Sequence, residues 1–331
     1  MTRAVHLARQ PGTHIAPDDF EVRDVVLPAV QSGQARVRNL FVSLDPYMRL
    51  PLTARAGLHP AKGPGDLLGG AAVGVVEESA DPALVAGTLV VSQSGWTEGF
   101  VAPVASLRAL PADTPHPSWH LGVLGLTGIT AWLGVERVLK PVRGETVYVS
   151  GAAGAVGSIA CGLARRRGAT VIGTAGTDAK CRLLIDEIGC ATAGNYHREP
   201  VSAFLARAAP DGVDASFDNV GGATLDAILG ATRPGGRIGA CGAISLYESD
   251  DYRGGPADFF RVIEQGLTIT GFNAGQAGDD APAIVSELQQ MAAAGDILVR
   301  ETVVEGIAAV PAAFASLFTG ETTGKLIARL G

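Results

Sequence analysis

Cysteine is scarce in this chain: four residues in 331, at Cys161, Cys181, Cys190 and Cys241, with no Cys-x-x-Cys spacing. Thiols so distributed are expected to be reduced and mostly buried, which leaves no disulfide framework and no cysteine-based zinc set. The six histidines (His6, His14, His59, His116, His120, His197) form no His-Glu-x-x-His or comparable metal spacing, so surface or structural roles are expected for each. No apolar run is long enough to span a bilayer, and the opening MTRAVHLARQPG lacks a signal-peptide core, so a cytoplasmic location is expected. There is no long basic run either, and the net charge is −7, which argues against nucleic acid or an anionic membrane as a partner. No Ser/His/Asp constellation suggests hydrolysis.

Against these absences, residues 145–176 read ETVYVSGAAGAVGSIACGLARRRGATVIGTAG: a β-rich run, a glycine turn opening a helix, and a second β-rich run. Gly151, Gly154 and Gly157 let the chain turn sharply and bring the first amides of the helix close to a pyrophosphate. The spacing is GxxGxxG rather than GxGxxG. Its context supplies the rest: a strand over 146–150, a helix over 158–167 and a strand over 169–175. The unit is therefore read as dinucleotide-binding, the alternative being a tight turn that binds nothing.

An acidic residue at the end of the second strand would bind a ribose 2′-hydroxyl. Here that strand ends in Thr174, Ala175, Gly176 and Thr177, none charged, and Asp178 reads as a first-turn helix residue behind a Thr177 N-cap. Lys180 and Arg182 follow. Only four of the 26 basic residues are lysines (Lys62, Lys140, Lys180, Lys325), so a lysine here invites a site-specific role in holding a 2′-phosphate, with a solvated helix charge as the alternative. The pocket is read as specific for NADPH/NADP+. The Arg165 to Arg167 run suits a helix C-terminus and needs no ligand.

At this length with 47% hydrophobic residues, two domains are expected. Before residue 125 short β-like runs (34–43, 71–76, 88–92) are broken by Gly and Pro, as in a β-rich, partly open barrel. From 126 to 297 strands near 146, 170, 191, 213, 236 and 267 alternate with helices, the doubly wound pattern. A strand over 299–305, a helix over 310–318 and a strand over 325–329 are expected to return to the first domain. The expected fold is α/β: a doubly wound parallel Rossmann sheet at 126–297, and a discontinuous GroES-like β-rich domain at 1–125 and 298–331.

The strings VSLDPYMRL (42–50), LGLTGITAW (124–132), SGAAGAVGS (150–158), FDNVGG (217–222), CGAISLY (241–247) and EGIAAVPAAFASLFTGETTGK (305–325) resemble the medium-chain dehydrogenase/reductases, in their zinc-free prostaglandin reductase and 2-alkenal double-bond reductase branch. The resemblance runs nearly end to end. It implies that Gly154, Ala155, Val156 and Gly157 cradle the pyrophosphate and that Lys180 and Tyr196 hold the 2′-phosphate. It also implies that Asn219 contacts the cofactor, that Cys241, Gly242, Ala243, Ile244, Ser245 and Tyr247 run beside the nicotinamide ribose, and that Phe272, Asn273 and Ala274 face the ring. Zinc-dependent relatives carry a cysteine ligand and a Gly-His-Glu string where this chain has Gly69 and Gly70, so no metal is implied. The branch commonly has Asn where this chain has Thr322, which weakens that cofactor contact. The loops 51–66 and 248–256 depart freely from the family and would shape the substrate pocket.

Reduction of an α,β-unsaturated carbonyl needs hydride at the β-carbon, donors for the oxyanion and a proton at the α-carbon. Tyr47 and Tyr247 are the candidate catalytic donors, since a phenol brings no charge to desolvate; packing roles are the alternatives. Asp45 and Arg49 are read as structural, pairing with each other or with Arg49 at a domain interface, and Trp96 as packing under the active-site cleft. The implied activity is NADPH-dependent reduction of small lipophilic enals or enones. The alternatives are an NADPH:quinone reductase and an NADPH-binding sensor or interaction protein with little turnover. The family implies a homodimer through edge pairing at Leu267–Phe272.

Overall fold

The computed structural model describes residues 1–53, 60–248 and 255–331, and the chain forms two compact units, Met1–Leu121 with Glu301–Gly331, and Gly122–Arg300. The expected boundaries lay a few residues away, after 125 and 297.

The first unit is β-rich. Strands β1 (Thr2–Leu7) and β2 (Phe20–Val25) pair antiparallel as a separate ribbon. The larger sheet is built from β3 (Gln34–Ser43), β4 (Ala72–Ser79), β5 (Leu89–Ser92), β6 (Gly99–Pro103) and β7 (Arg108–Ala109). The ten-residue β3 is its spine, pairing with β4, with β6, and with a strand from the C-terminal end of the chain. Around its buried face Trp96, Phe20 and Phe314 meet edge to face, with Trp96 and Phe314 centroids 4.9 Å apart, and the Trp96 indole N–H donates to the Ser43 carbonyl at 3.0 Å. Trp96 is thus a core residue of this unit. Phe314 stands on the helix Val310–Thr319, which explains why the last stretch of sequence returns here.

The second unit is a six-stranded parallel sheet of β8 (Thr146–Val149), β9 (Thr170–Ala175), β10 (Thr192–Asn195), β11 (Val213–Asp218), β12 (Thr232–Ala240) and β13 (Thr268–Gly271), in the order β10-β9-β8-β11-β12-β13. That order reverses between β8 and β11, the switch point where doubly wound sheets open a crevice at their carboxyl ends. The helix Ala155–Arg166 buries Ile159, Ala160, Leu163 and Ala164 and ends in the arginine run. Arg165 donates to the Ile188 carbonyl, while Arg167 donates to the Pro141 carbonyl and to Glu136. The run is structural, as its position at a helix end implied. Two further strands, β14 (Glu301–Glu305) and β15 (Lys325–Arg329), belong to the first unit, where β15 pairs with β3. Among the described residues no helix is long and apolar enough to cross a membrane.

Candidate cofactor and active site

The glycine turn lies between β8 and the helix Ala155–Arg166. Gly151 adopts a left-handed φ of 57°, and a Cβ on Gly157 would sit 2.4 Å from the Gly151 carbonyl oxygen and 2.8 Å from the Ala152 Cα. Only a bare glycine lets the helix start press this closely on the turn. The first bond of the helix, Ser158 N–H to the Gly154 carbonyl at 3.0 Å, leaves the amides of Ala155, Val156 and Gly157 at the open N-terminus. These residues fit a pyrophosphate.

At the end of β9, Thr177 caps the next helix, its hydroxyl accepting from Lys180 N–H at 3.2 Å. Asp178 is already engaged: Asn195 Nδ2 donates to one carboxylate oxygen at 2.7 Å and Arg198 pairs with the other at 2.7 Å. Tyr196 folds back from the end of β10, its hydroxyl 2.7 Å from where a Cβ on Gly176 would stand. Lys180, Tyr196 and Arg198 therefore lie around one strand end. Arg198 was not singled out from sequence, although its place two residues past Tyr196 was the available signal.

At the switch point, Ser150 and Asp218 hold the two strand ends together. The Ser150 hydroxyl donates to Asp218 at 2.7 Å and accepts from Asn219 N–H at 2.8 Å, and the Asn219 amide donates to the Ser150 carbonyl at 2.7 Å. Val220 and Gly221 amides also reach Asp218, yet burial raises its carboxyl above the ordinary range. Asn219 thus presents one face to Ser150 and keeps its amide oxygen for other partners.

The segment after β12 is tied to the same edge: Ile244 N–H donates to Asn219, and Ser245 donates to the Val220 carbonyl at 2.7 Å through its hydroxyl. Tyr247 ends the short helical turn Ile244–Leu246 with its hydroxyl 3.8 Å from where a Gly242 Cβ would be. The Cys241 thiol is pushed up to about 12 by burial and by Asp218. Beyond β13, Asn273 accepts from Gly275 N–H at 2.9 Å ahead of Ala274, while Phe272 is buried against Phe217, centroids 5.4 Å apart. The Phe272 ring is a core group. Every expected cofactor residue of this unit stands on the carboxyl edge of the sheet.

Tyr47 and Thr322 belong to the first unit. Tyr47 sits on the helical turn Pro46–Leu52, and its phenol is pushed up to about 12 by burial and by Asp45. Asp45 pairs with Lys325 on β15, and Arg49 donates to the carbonyls of Gly12 (2.6 Å) and Thr13 (3.1 Å), which corrects the expected Asp45–Arg49 pairing. Parts of the two loops expected to shape the substrate pocket, 54–59 and 249–254, lie outside the described residues.

A family model described as the N-terminal domain of oxidoreductase matches residues 3–110, and one described as zinc-binding dehydrogenase matches residues 155–291. Prostaglandin reductase 1 of Mus musculus is 37% identical over 94% of this chain and 94% of its own length. The chain belongs to the medium-chain dehydrogenase/reductases, in their prostaglandin reductase and alkenal reductase branch. Within that branch, the NADP(+)-dependent 2-alkenal reductase of Nicotiana tabacum is 35% identical over 93% of this chain and 92% of its own. The crystal structure of CurA from Vibrio vulnificus in complex with NADPH superposes with a TM-score of 0.93 at 29% identity, covering 99% of each chain. Despite the second model's description, no group of three or more His, Cys, Asp or Glu side chains able to hold a metal occurs among the described residues.

Proposed function

We propose that this protein is an NADPH-dependent reductase of the carbon–carbon double bond of small lipophilic α,β-unsaturated aldehydes and ketones. The observation that carries the reading is the convergence, on one sheet edge, of the glycine turn, the Lys180–Tyr196 strand ends and the 241–247 segment bearing Tyr247. NADPH, when bound, supplies the hydride. Gly154, Ala155, Val156 and Gly157 hold its pyrophosphate; Lys180 and Tyr196 hold its 2′-phosphate, helped by an Asp178 whose charge Arg198 offsets. Asn219, the stretch 241–245, Phe272, Asn273 and Ala274 line the remainder; Thr322 stands where the branch commonly has Asn, which weakens that cofactor contact.

Tyr247 is the leading donor to the oxyanion and Tyr47 the second. Burial keeps the Tyr47 phenol protonated throughout the working pH range, so it donates without ionising. The second unit, Gly122–Arg300, serves as the NADPH-binding domain, and the residues on either side of it form the catalytic and substrate domain. The chemistry is metal-independent and cytoplasmic. The enzyme acts as a homodimer through β13, the last strand in the order of the parallel sheet.

The test is NADPH consumption by purified protein with a 2-alkenal, an enone and a quinone, with product analysis. A saturated carbonyl product is expected. Turnover of the quinone alone would replace this reading with a quinone reductase, and NADPH binding without turnover would replace it with a sensor.

A further inference from the structure

Lys325, the first residue of β15, has only 4% of its side chain exposed. Its ammonium donates to the Leu44 carbonyl at 3.0 Å and to a carboxylate oxygen of Asp45, whose other oxygen accepts from the Ser43 hydroxyl. Asp45 is itself buried, with 9% of its side chain exposed, and immediately precedes the turn Pro46–Leu52 that carries Tyr47. Three residues before Lys325 lies Thr322.

A buried ammonium and carboxylate are costly to desolvate, and apolar side chains of similar size would hold a core at least as well. What the pair adds is geometry. One ammonium bonds two consecutive residues, 44 and 45, and so fixes the path by which the chain enters the Tyr47 turn from the strand that follows Thr322. Lysine suits this task in an arginine-biased chain, because a compact ammonium reaches a carbonyl and a carboxylate at one point where a planar guanidinium needs a wider slot.

We propose that the Asp45–Lys325 pair is a positioning device that holds Tyr47 in its donor geometry. The inference rests on Tyr47 acting as a donor. The experiment is a cycle of Tyr47→Phe and Lys325→Met/Asp45→Leu, measuring kcat and KM for an enone, the NADPH Kd and the thermal midpoint. A group misplaced by about an ångström loses on the order of 10²-fold in rate. The Lys325→Met/Asp45→Leu variant is expected to keep its NADPH Kd within about twofold and to lose about 10- to 100-fold in kcat. It should lose nothing further when Tyr47→Phe is already present. Ser43→Ala, which removes only the hydroxyl from Asp45, should lower kcat about threefold with little change in midpoint, and it carries the test if the double variant does not fold. Additive losses, or an unchanged kcat in a folded pair variant or in Ser43→Ala, overturn the proposal. If Tyr47→Phe alone costs nothing, the donor role fails and takes the positioning role with it; if Tyr47→Phe is impaired and the pair variant is not, the positioning role alone fails.

Discussion

Arg198 grips Asp178: their side chains meet at 2.7 Å, while Asn195 holds the other carboxylate oxygen of Asp178 at the same distance. The acidic side chain nearest the end of β9 is therefore both neutralised and occupied, and it is a poor acceptor for a ribose 2′-hydroxyl. With Lys180 beside it, this strand end favours a phosphate. Lys180→Ala is expected to raise the NADPH Kd about 10- to 100-fold, the range of one charge-assisted hydrogen bond, while moving the NADH Kd much less. Arg198→Ala should shift the NADPH/NADH preference several-fold toward NADH. Titration of both cofactors by fluorescence checks this, and equal effects on the two would remove these residues from the phosphate site.

Two glycines that look alike in the sequence should respond oppositely to alanine. At Gly157 a Cβ meets main-chain atoms of the turn at 2.4 and 2.8 Å, and neither can move aside cheaply. Gly157→Ala is expected to cost about 1–3 kcal/mol and to weaken NADPH binding at least tenfold. Gly230 lies within the helix Gly222–Ala231 with nothing inside 4 Å of its added Cβ, so Gly230→Ala should stabilise by about 0.5–1 kcal/mol. Urea midpoints of the two variants test the contrast, and a stable, NADPH-competent Gly157→Ala would disprove the close approach.

His120 gives the fold a defined acid sensitivity. Burial, and after it the charge of Arg108, pushes its imidazole down to about 4, and its Nδ1 has no hydrogen-bond partner within the described chain. Its folded pKa lies below the unfolded value of 6.5, so the unfolded chain takes up the proton first as pH falls. Stability from this residue is complete above about 6.5 and declines toward 4. The ring is only partly buried, so the loss is on the order of 1–2 kcal/mol after solvent screening. His120→Gln should show a shallower decline of urea midpoint than wild type across that window, and parallel curves would assign the acid sensitivity elsewhere.

Much of this architecture was readable because period and punctuation agreed. The β-like run QARVRNLFVS between Gly33 and Pro46 gave β3 from Gln34 to Ser43, and the Thr177 cap followed from a hydroxyl standing before an acidic first turn. Strand–helix alternation gave the parallel sheet, while the proposed cofactor residues at its carboxyl edge came from the family resemblance. Pairings between distant segments were not readable. Asp45 and Arg49, four apart, invited a local pair, whereas Asp45 pairs with Lys325, 280 residues away, because β15 lies beside β3 in the sheet. The packing of Phe272 was not readable either: Gly134 and Gly239 leave room for its ring against Phe217.

An enzyme that handles alkenals must also survive them, since such electrophiles add to thiolates. Cys161, Cys181 and Cys190 are buried, and burial pushes the Cys181 thiol up, with Asp178 adding to it. The Cys161 thiol is held well above its ordinary range by its hydrogen bond to Cys190 and by burial; that same bond, together with Arg165, lowers Cys190, which only 3% exposure shields. Cys241, beside the proposed nicotinamide site, is pushed up to about 12 by burial and Asp218, which at neutral pH cuts its thiolate fraction on the order of 10³-fold relative to an ordinary cysteine. Native protein exposed to a 2-alkenal or iodoacetamide without NADPH should therefore gain less than one adduct per chain in the time that free cysteine is consumed. In urea all four cysteines should react. Intact-mass spectra decide the matter: rapid adduct formation at Cys241 in the folded protein would mean that the thiol is ionised, and that neither burial nor Asp218 protects it.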